Sequence, residues 1–173
     1  MYERKLLNII ILGDKQSTLY ITNILQQHSS QVFNKNTFEQ QKIVMQIKVE
    51  LNGENYKLNF KRCSNQLQLQ QYNDSDVIVL CYSFADEQYQ KNLIDNWFLD
   101  IYYQLEGIPI VLVGINYTQQ HMNLECQYGL QKQIYAKYFV PFFKLLDNTH
   151  LLVENIILCA HKKQFFGKQI ELC

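Results

Sequence analysis

Residues Leu6 to Gln27 read LLNIIILGDKQSTLYITNILQQ, and this stretch decides the fold. An apolar run from Leu6 to Leu12 stops at Gly13, as a strand buried on both faces does. Leu19, Ile21, Ile24 and Leu25 then follow at helix-compatible spacing, so the segment is strand, turn, helix. That junction is where a phosphate-binding loop would sit. Such a loop needs backbone N–H groups curled around the anion, a lysine on the outer phosphates and a Ser or Thr on magnesium. In the pattern G-x-x-x-x-G-K-[ST] the hydroxyl residue lies seven positions after the first glycine. Here Ser17 follows Gly13 by four, with only Asp14, Lys15 and Gln16 between, so about three residues of cradle are missing.

Outward from this junction, KIVMQIKVELNGENYKLNF (Lys42 to Phe60) carries two alternating runs around Asn52-Gly53, the pairing that favours a two-residue hairpin. DVIVLCYSF (Asp76 to Phe84) and IPIVLVG (Ile108 to Gly114) are further fully apolar strands. Between them Leu93, Trp97, Ile101 and Leu105 recur at steps of four, a helical stripe that Gly107 ends. A helix over about 125–138, a strand at Val140 to Leu146 and a last helix from near Thr149 complete the chain. In that last helix Leu152, Val153, Ile156, Ile157 and Ala160 form one apolar face, with Asn148 or Thr149 as N-cap. The order β-α-β-β-β-α-β-α-β-α predicts a three-layer α/β domain: a mainly parallel sheet of about six strands with one antiparallel hairpin, helices covering both faces. Ligands on such sheets bind at the carboxyl ends of the strands, hence at the loops after Leu12, Phe60, Gly114 and Leu146.

The 173 residues suit one domain, expected over 1–164 with a short tail at 165–173. Sixteen basic and sixteen acidic residues give zero formal charge, so neither nucleic acid nor an anionic membrane is an expected partner. The Gln, Asn, Tyr and Ile richness reflects coding bias, because apolar periodic segments interrupt it throughout. The N-terminal apolar run ends at Gly13 without a small-residue cleavage site, so a secretory signal is not expected. Cys63, Cys81, Cys126, Cys159 and Cys173 are odd in number, widely spaced and without zinc-ligand pattern, which points to reduced thiols in an intracellular protein.

The segment YNDSDVIVLCYSFADEQYQKNLIDNWFLDIYYQLEGIPIVLVG, Tyr72 to Gly114, resembles the Ras-like small GTPases, the Rho branch in particular. It matches the Rho-type strand, helix and strand, with a Trp at the Trp97 position and LVG ahead of the base-reading loop. The order of elements agrees over nearly the whole chain. The resemblance implies the small-GTPase-like, P-loop NTPase-type fold.

The functional motifs carry over one at a time. Gly13 matches the first glycine of the phosphate loop and Ser17 the magnesium Ser/Thr, while Gln16 stands in place of the lysine and Lys15 comes one residue early. Asp14 adds a carboxylate that repels phosphate. Where the family has D-T-A-G-Q/E, which holds magnesium and orients water, this chain reads KRCSNQLQLQQY, with Lys61 and Arg62 in the acidic position. Where the family has N-K-x-D it reads Ile115, Asn116, Tyr117, Thr118, and a threonine cannot accept the bidentate guanine contact. KLLDN near Leu145 to Asn148 does not supply the later S-A-type loop, and GKQIELC at the C-terminus lacks the C-a-a-X prenylation signal. Thr37, ahead of Phe38, matches the switch threonine.

The expectation is therefore a catalytically inactive pseudo-GTPase, an interaction or structural subunit of a multiprotein complex. It would have no catalytic residues, no metal ligands and no resident cofactor. Its setting would be intracellular and most simply cytoplasmic, with cilium, cytoskeleton and organelle left open, and without membrane attachment. The alternative is an atypical small GTPase that binds GTP or GDP with Mg²⁺, hydrolyses it little or not at all, and acts as a signalling or trafficking switch. Gly13, Lys15, Ser17 and Thr37 would then hold the nucleotide. Other chemistry finds no support: His28, His121, His150 and His161 are scattered, Asp76 reads as the lead into its strand, and Trp97 as part of a core stripe.

Overall fold

The computed structural model describes residues 5–27, 31–32, 45–63, 66–83, 88–116, 124–143 and 148–170. Strand β1 (Lys5–Gly13) leads into helix α1 (Lys15–Gln27). A two-residue strand β2 (Gln31–Val32) precedes β3 (Met45–Leu51) and β4 (Glu54–Arg62). A 3₁₀ segment (Gln66–Tyr72) and β5 (Val77–Ser83) follow. Next come α2 (Tyr89–Leu93), a π-helical turn (Ile94–Phe98) and α3 (Leu99–Gln104) in unbroken succession. Strand β6 (Ile110–Asn116), α4 (Leu124–Gln133), β7 (Tyr138–Phe143) and α5 (Thr149–Ile170) close the fold.

The strands form a single sheet in the order β2-β3-β4-β1-β5-β6-β7. Its six long strands are those expected from the sequence, and β2 adds a short edge. β4, β1, β5, β6 and β7 run parallel, while β3 is antiparallel to β4 around Asn52 and Gly53, whose φ values of 52° and 77° are those of a type I′ hairpin turn.

Period-two alternation splits the core into two layers. Leu7, Ile9 and Ile11 of β1 face the helices α1 and α5, meeting Ile21, Leu25, Leu152 and Ile156. Ile10 and Leu12 face the opposite way, toward Leu93, Ile101, Leu105, Leu130 and Ile134. The buried face of α5 is the one its spacing predicts: Leu152, Val153, Ile156, Ile157 and Ala160 are all buried. Asp76, which accepts the Asn8 N–H through Oδ2 at 2.8 Å and donates its own N–H to the Asn8 carbonyl at 2.7 Å, ties the start of β5 to β1.

Two helices depart from expectation. The stripe Leu93, Trp97, Ile101, Leu105 repeats every four residues, and a helix of 3.6 residues per turn drifts by roughly 40° at each such step. The wider π turn takes back part of that drift and keeps Leu93, Ile101 and Leu105 buried. Trp97, expected in the core, is only partly buried and packs at the edge of the second layer. Helix α4 ends at Gln133 rather than near residue 138. There Tyr135 takes φ 54°, Tyr135 N–H reaches the Lys132 carbonyl and Ala136 N–H the Gln131 carbonyl, the two bonds of a Schellman cap.

At the edge remote from the strand ends that carry the site, Lys5 Nζ lies 2.8 Å from both oxygens of Glu54, and the Tyr56 hydroxyl donates to Glu54 and lies 2.6 Å from His161 Nε2. Burial first, then the Glu54 hydrogen bond, pushes the Tyr56 hydroxyl up to about 12, and burial, then Cys63, does the same to Tyr72. Both tyrosines ionise near 10 in the unfolded chain, so unfolding releases protons between pH 10 and pH 12. Their contribution to stability is complete below pH 10 and is lost as pH rises through 12. Urea unfolding measured across that window will show stability falling with pH, and the slope will be shallower in a Tyr56→Phe/Tyr72→Phe variant. An identical slope in the variant would remove these two hydroxyls as its source.

Candidate functional site

The carboxyl ends of β1, β4, β5, β6 and β7 lie side by side, and Gly13, Lys15 and Ser17 lie at or just after the first of them. Gly13 ends β1 opposite Cys81 of β5 with φ 128°. A Cβ built on Gly13 would stand 1.9 Å from the Cys81 carbonyl oxygen, so only glycine lets the two strands approach this closely.

Asp14 is the sole residue between strand and helix, because α1 begins at Lys15. Its Oδ1 accepts the Ser17 N–H at 2.8 Å and its carbonyl accepts the Thr18 N–H at 3.0 Å, making Asp14 the N-cap of α1. The helix N-terminus, which in a phosphate loop faces the anion, is here occupied by the chain's own carboxylate.

Lys15 and Ser17 do not converge. Two positions apart on the first turn, they point different ways: Lys15 is exposed, and Ser17 is fully buried. The Ser17 hydroxyl has no hydrogen-bond partner among the described residues, a cost that buried hydroxyls rarely bear. Thr37 lies outside the described residues, as do Tyr117, Thr118 and the Leu145–Asp147 stretch.

At the end of β4, where an acidic metal ligand would be sought, Lys61 pairs with Asp74 at 3.2 Å. Asn116 is buried as the last residue of β6, and Asn148 donates through Nδ2 to the Pro141 carbonyl at the start of α5. Among the described residues no three His, Cys, Asp or Glu side chains stand close enough to hold a metal ion, and no helix is long and apolar enough to cross a membrane.

The structure also presents a feature that the motifs did not announce. Asp14, Cys81, Tyr82, Ser83, Asn92, Leu93, Asn96 and Trp97 line a cavity of about 140 Å³ between the β1 and β5 ends and the α2/π segment. Burial, and secondarily the charge of Asp14, pushes the Cys81 thiol well above its ordinary range, so this cysteine is an inert thiol in the wall. The cavity was illegible in the sequence because Asn92, Asn96 and Trp97 belong to a helix whose register depends on the π turn.

No protein-family model matches the chain. Curated proteins match it locally. It is 37% identical over 43 residues to the GTP-binding protein RHO1 of Eremothecium gossypii, covering 25% of this chain and 21% of that protein. It is 32% identical over 66 residues to a GTP-binding RHO-like protein of Candida albicans, covering 38% and 19% respectively. The GTP-binding protein Rho1 of Kluyveromyces lactis is 35% identical over 43 residues, 25% of this chain and 21% of the relative. The matches thus span about a fifth of the length of these relatives.

Proposed function

From this relationship to the Rho-type small GTPases, we propose that the chain is a pseudo-GTPase: a small-GTPase-like domain that does not hydrolyse nucleotide and serves as a protein-interaction or structural subunit of a larger assembly. The observation that carries the reading is Asp14. It replaces a loop with one residue and spends the Ser17 N–H on its own carboxylate. A phosphate approaching this helix end would meet a negative charge in place of a ring of donors. The Lys61–Asp74 pair supports the same reading, since a cation stands where Mg²⁺ would need a ligand. Without a γ-phosphate to order switch segments, the domain offers a constitutive surface.

Its partners on this reading are proteins, with neither nucleic acid nor membrane attachment. Its setting on this reading is intracellular and cytoplasmic, in keeping with five cysteines that are odd in number and widely spaced.

One observation favours the second reading, an atypical GTPase that holds GTP or GDP without appreciable turnover. The unpartnered Ser17 hydroxyl stands where a magnesium ligand would be needed. The two readings part on a single comparison of gently purified wild type, Lys15→Ala and Ser17→Ala. The pseudo-GTPase reading expects no nucleotide released on denaturation and no rise in melting temperature with millimolar GTP and Mg²⁺. It also expects Ser17→Ala to be neutral or stabilising by up to about 1–3 kcal/mol, because an unsatisfied buried hydroxyl is removed. Near-stoichiometric GDP or GTP in the wild type, lost in the variants, would establish the switch instead.

A further inference from the structure

We propose that the cavity bounded by Asp14, Ser83, Asn92, Asn96 and Trp97 is a binding site for an organic monocation, a guanidinium or alkylammonium head. This goes beyond the reading of the domain as a pseudo-GTPase and does not depend on whether nucleotide binds.

The chemistry of the wall selects the charge. Among the described residues Asp14 is the only charged one lining the cavity, and it has no ion-pair partner among them. Its Oδ1 takes the Ser17 N–H, a single bond for a carboxylate that can accept about four. Asn92 and Asn96 bring carboxamides and Ser83 a hydroxyl, groups whose oxygens accept from N–H donors. Trp97 supplies an indole, the aromatic ring that cations favour most. An anion would be repelled by Asp14, and a bare metal ion would find one carboxylate and, among the described residues, no second acidic ligand.

The size of the cavity agrees. At about 140 Å³ it has room for roughly the volume of four to five waters at about 30 Å³ each, enough for a guanidinium or ammonium head. The π turn contributes Asn96 and Trp97 to the wall, and such turns recur at binding sites because they re-aim side chains. The same head group could arrive as the Arg or Lys side chain of a partner protein or as a free small amine.

Trp97 is the only tryptophan of the chain, so its fluorescence reports on this wall alone. The probes are ethylguanidinium and ethylammonium, with ethylurea as the uncharged match, titrated into the full chain at low ionic strength. The two cations are expected to give a saturable change and ethylurea none. Asp14→Asn keeps a good N-cap while removing the charge, and should weaken the response at least tenfold with an unchanged melting temperature. Asn96→Asp, at an exposed position, should strengthen it.

The capped peptide acetyl-Gly-Arg-Gly-amide separates the sources: binding at least as tight as that of ethylguanidinium assigns the site to a partner's side chain, and binding of the small cation alone assigns it to a free amine. Equal responses to ethylurea and ethylguanidinium, or wild-type affinity in Asp14→Asn, would overturn the proposal. Should Asp14→Asn fail to fold, the absence of any gain in Asn96→Asp would do so.

Discussion

Gly13→Ala will cost this domain at least about 4 kcal/mol, enough to lower the melting temperature by roughly 10–15 °C or to abolish folding. Two penalties coincide at the position. The residue sits at φ 128°, where a side chain strains the backbone, and its Cβ would stand 1.9 Å from the Cys81 carbonyl oxygen and 2.8 Å from the carbonyl carbon. These are backbone atoms of β5, itself buried from end to end, so nothing flexible can yield. Gly129→Ala in α4 is the matched control: an added Cβ there meets nothing within 4 Å, and a helix-interior alanine should add about 0.5–1 kcal/mol. Thermal unfolding of the pair measures both. A Gly13→Ala protein melting within a few degrees of wild type would mean that β1 and β5 can separate at their carboxyl ends.

That turn marks where the sequence was most and least legible. The apolar run of β1, the Asn52-Gly53 hairpin and the apolar face of α5 follow from local patterning and turn chemistry, and each stands where that chemistry places it. The end of α4 was missed because the signal for a helix stop is a glycine or asparagine in the left-handed conformation, and here Tyr135 takes that place. With 74% of its surface exposed, this tyrosine bears backbone strain without crowding the core. The π turn was missed because no residue type signals it; only the strict period of four from Leu93 to Leu105 hinted that an ordinary helix would wander off its face.

At the candidate site, the shortened distance from Gly13 to Ser17 was countable in the sequence, whereas the geometry that gives it meaning was not. A carboxylate at such a junction need not have reached back to the helix. Its acceptance of the Ser17 N–H makes it the N-cap of α1, and its place in a cavity wall makes it, on the proposal above, a ligand for cations. The inward turn of Ser17 and outward turn of Lys15 likewise depend on where the first helical turn starts, which an aligned motif does not specify.

Phe60→Ala is the second large effect, expected at about 3–5 kcal/mol, with Phe60→Leu costing less than half of that. Phe60 is fully buried in β4, paired with Ile9 of β1 on one side and Met45 of β3 on the other. It belongs to the core layer that α1 and α5 cover. Truncation there removes the ring from the middle of a sheet whose neighbours on both sides are hydrogen-bonded in register and cannot close the gap. The residue lies one position before Lys61, which pairs with Asp74, so the comparison also weighs two roles of one strand. Urea unfolding should give a large loss for Phe60→Ala and little for Lys61→Ala, whose ion pair reaches out to a largely exposed carboxylate. A loss for Lys61→Ala rivalling that for Phe60→Ala would mean that the cation at the end of β4 holds the fold together, and its position would have to be explained by stability rather than by the exclusion of a metal ion.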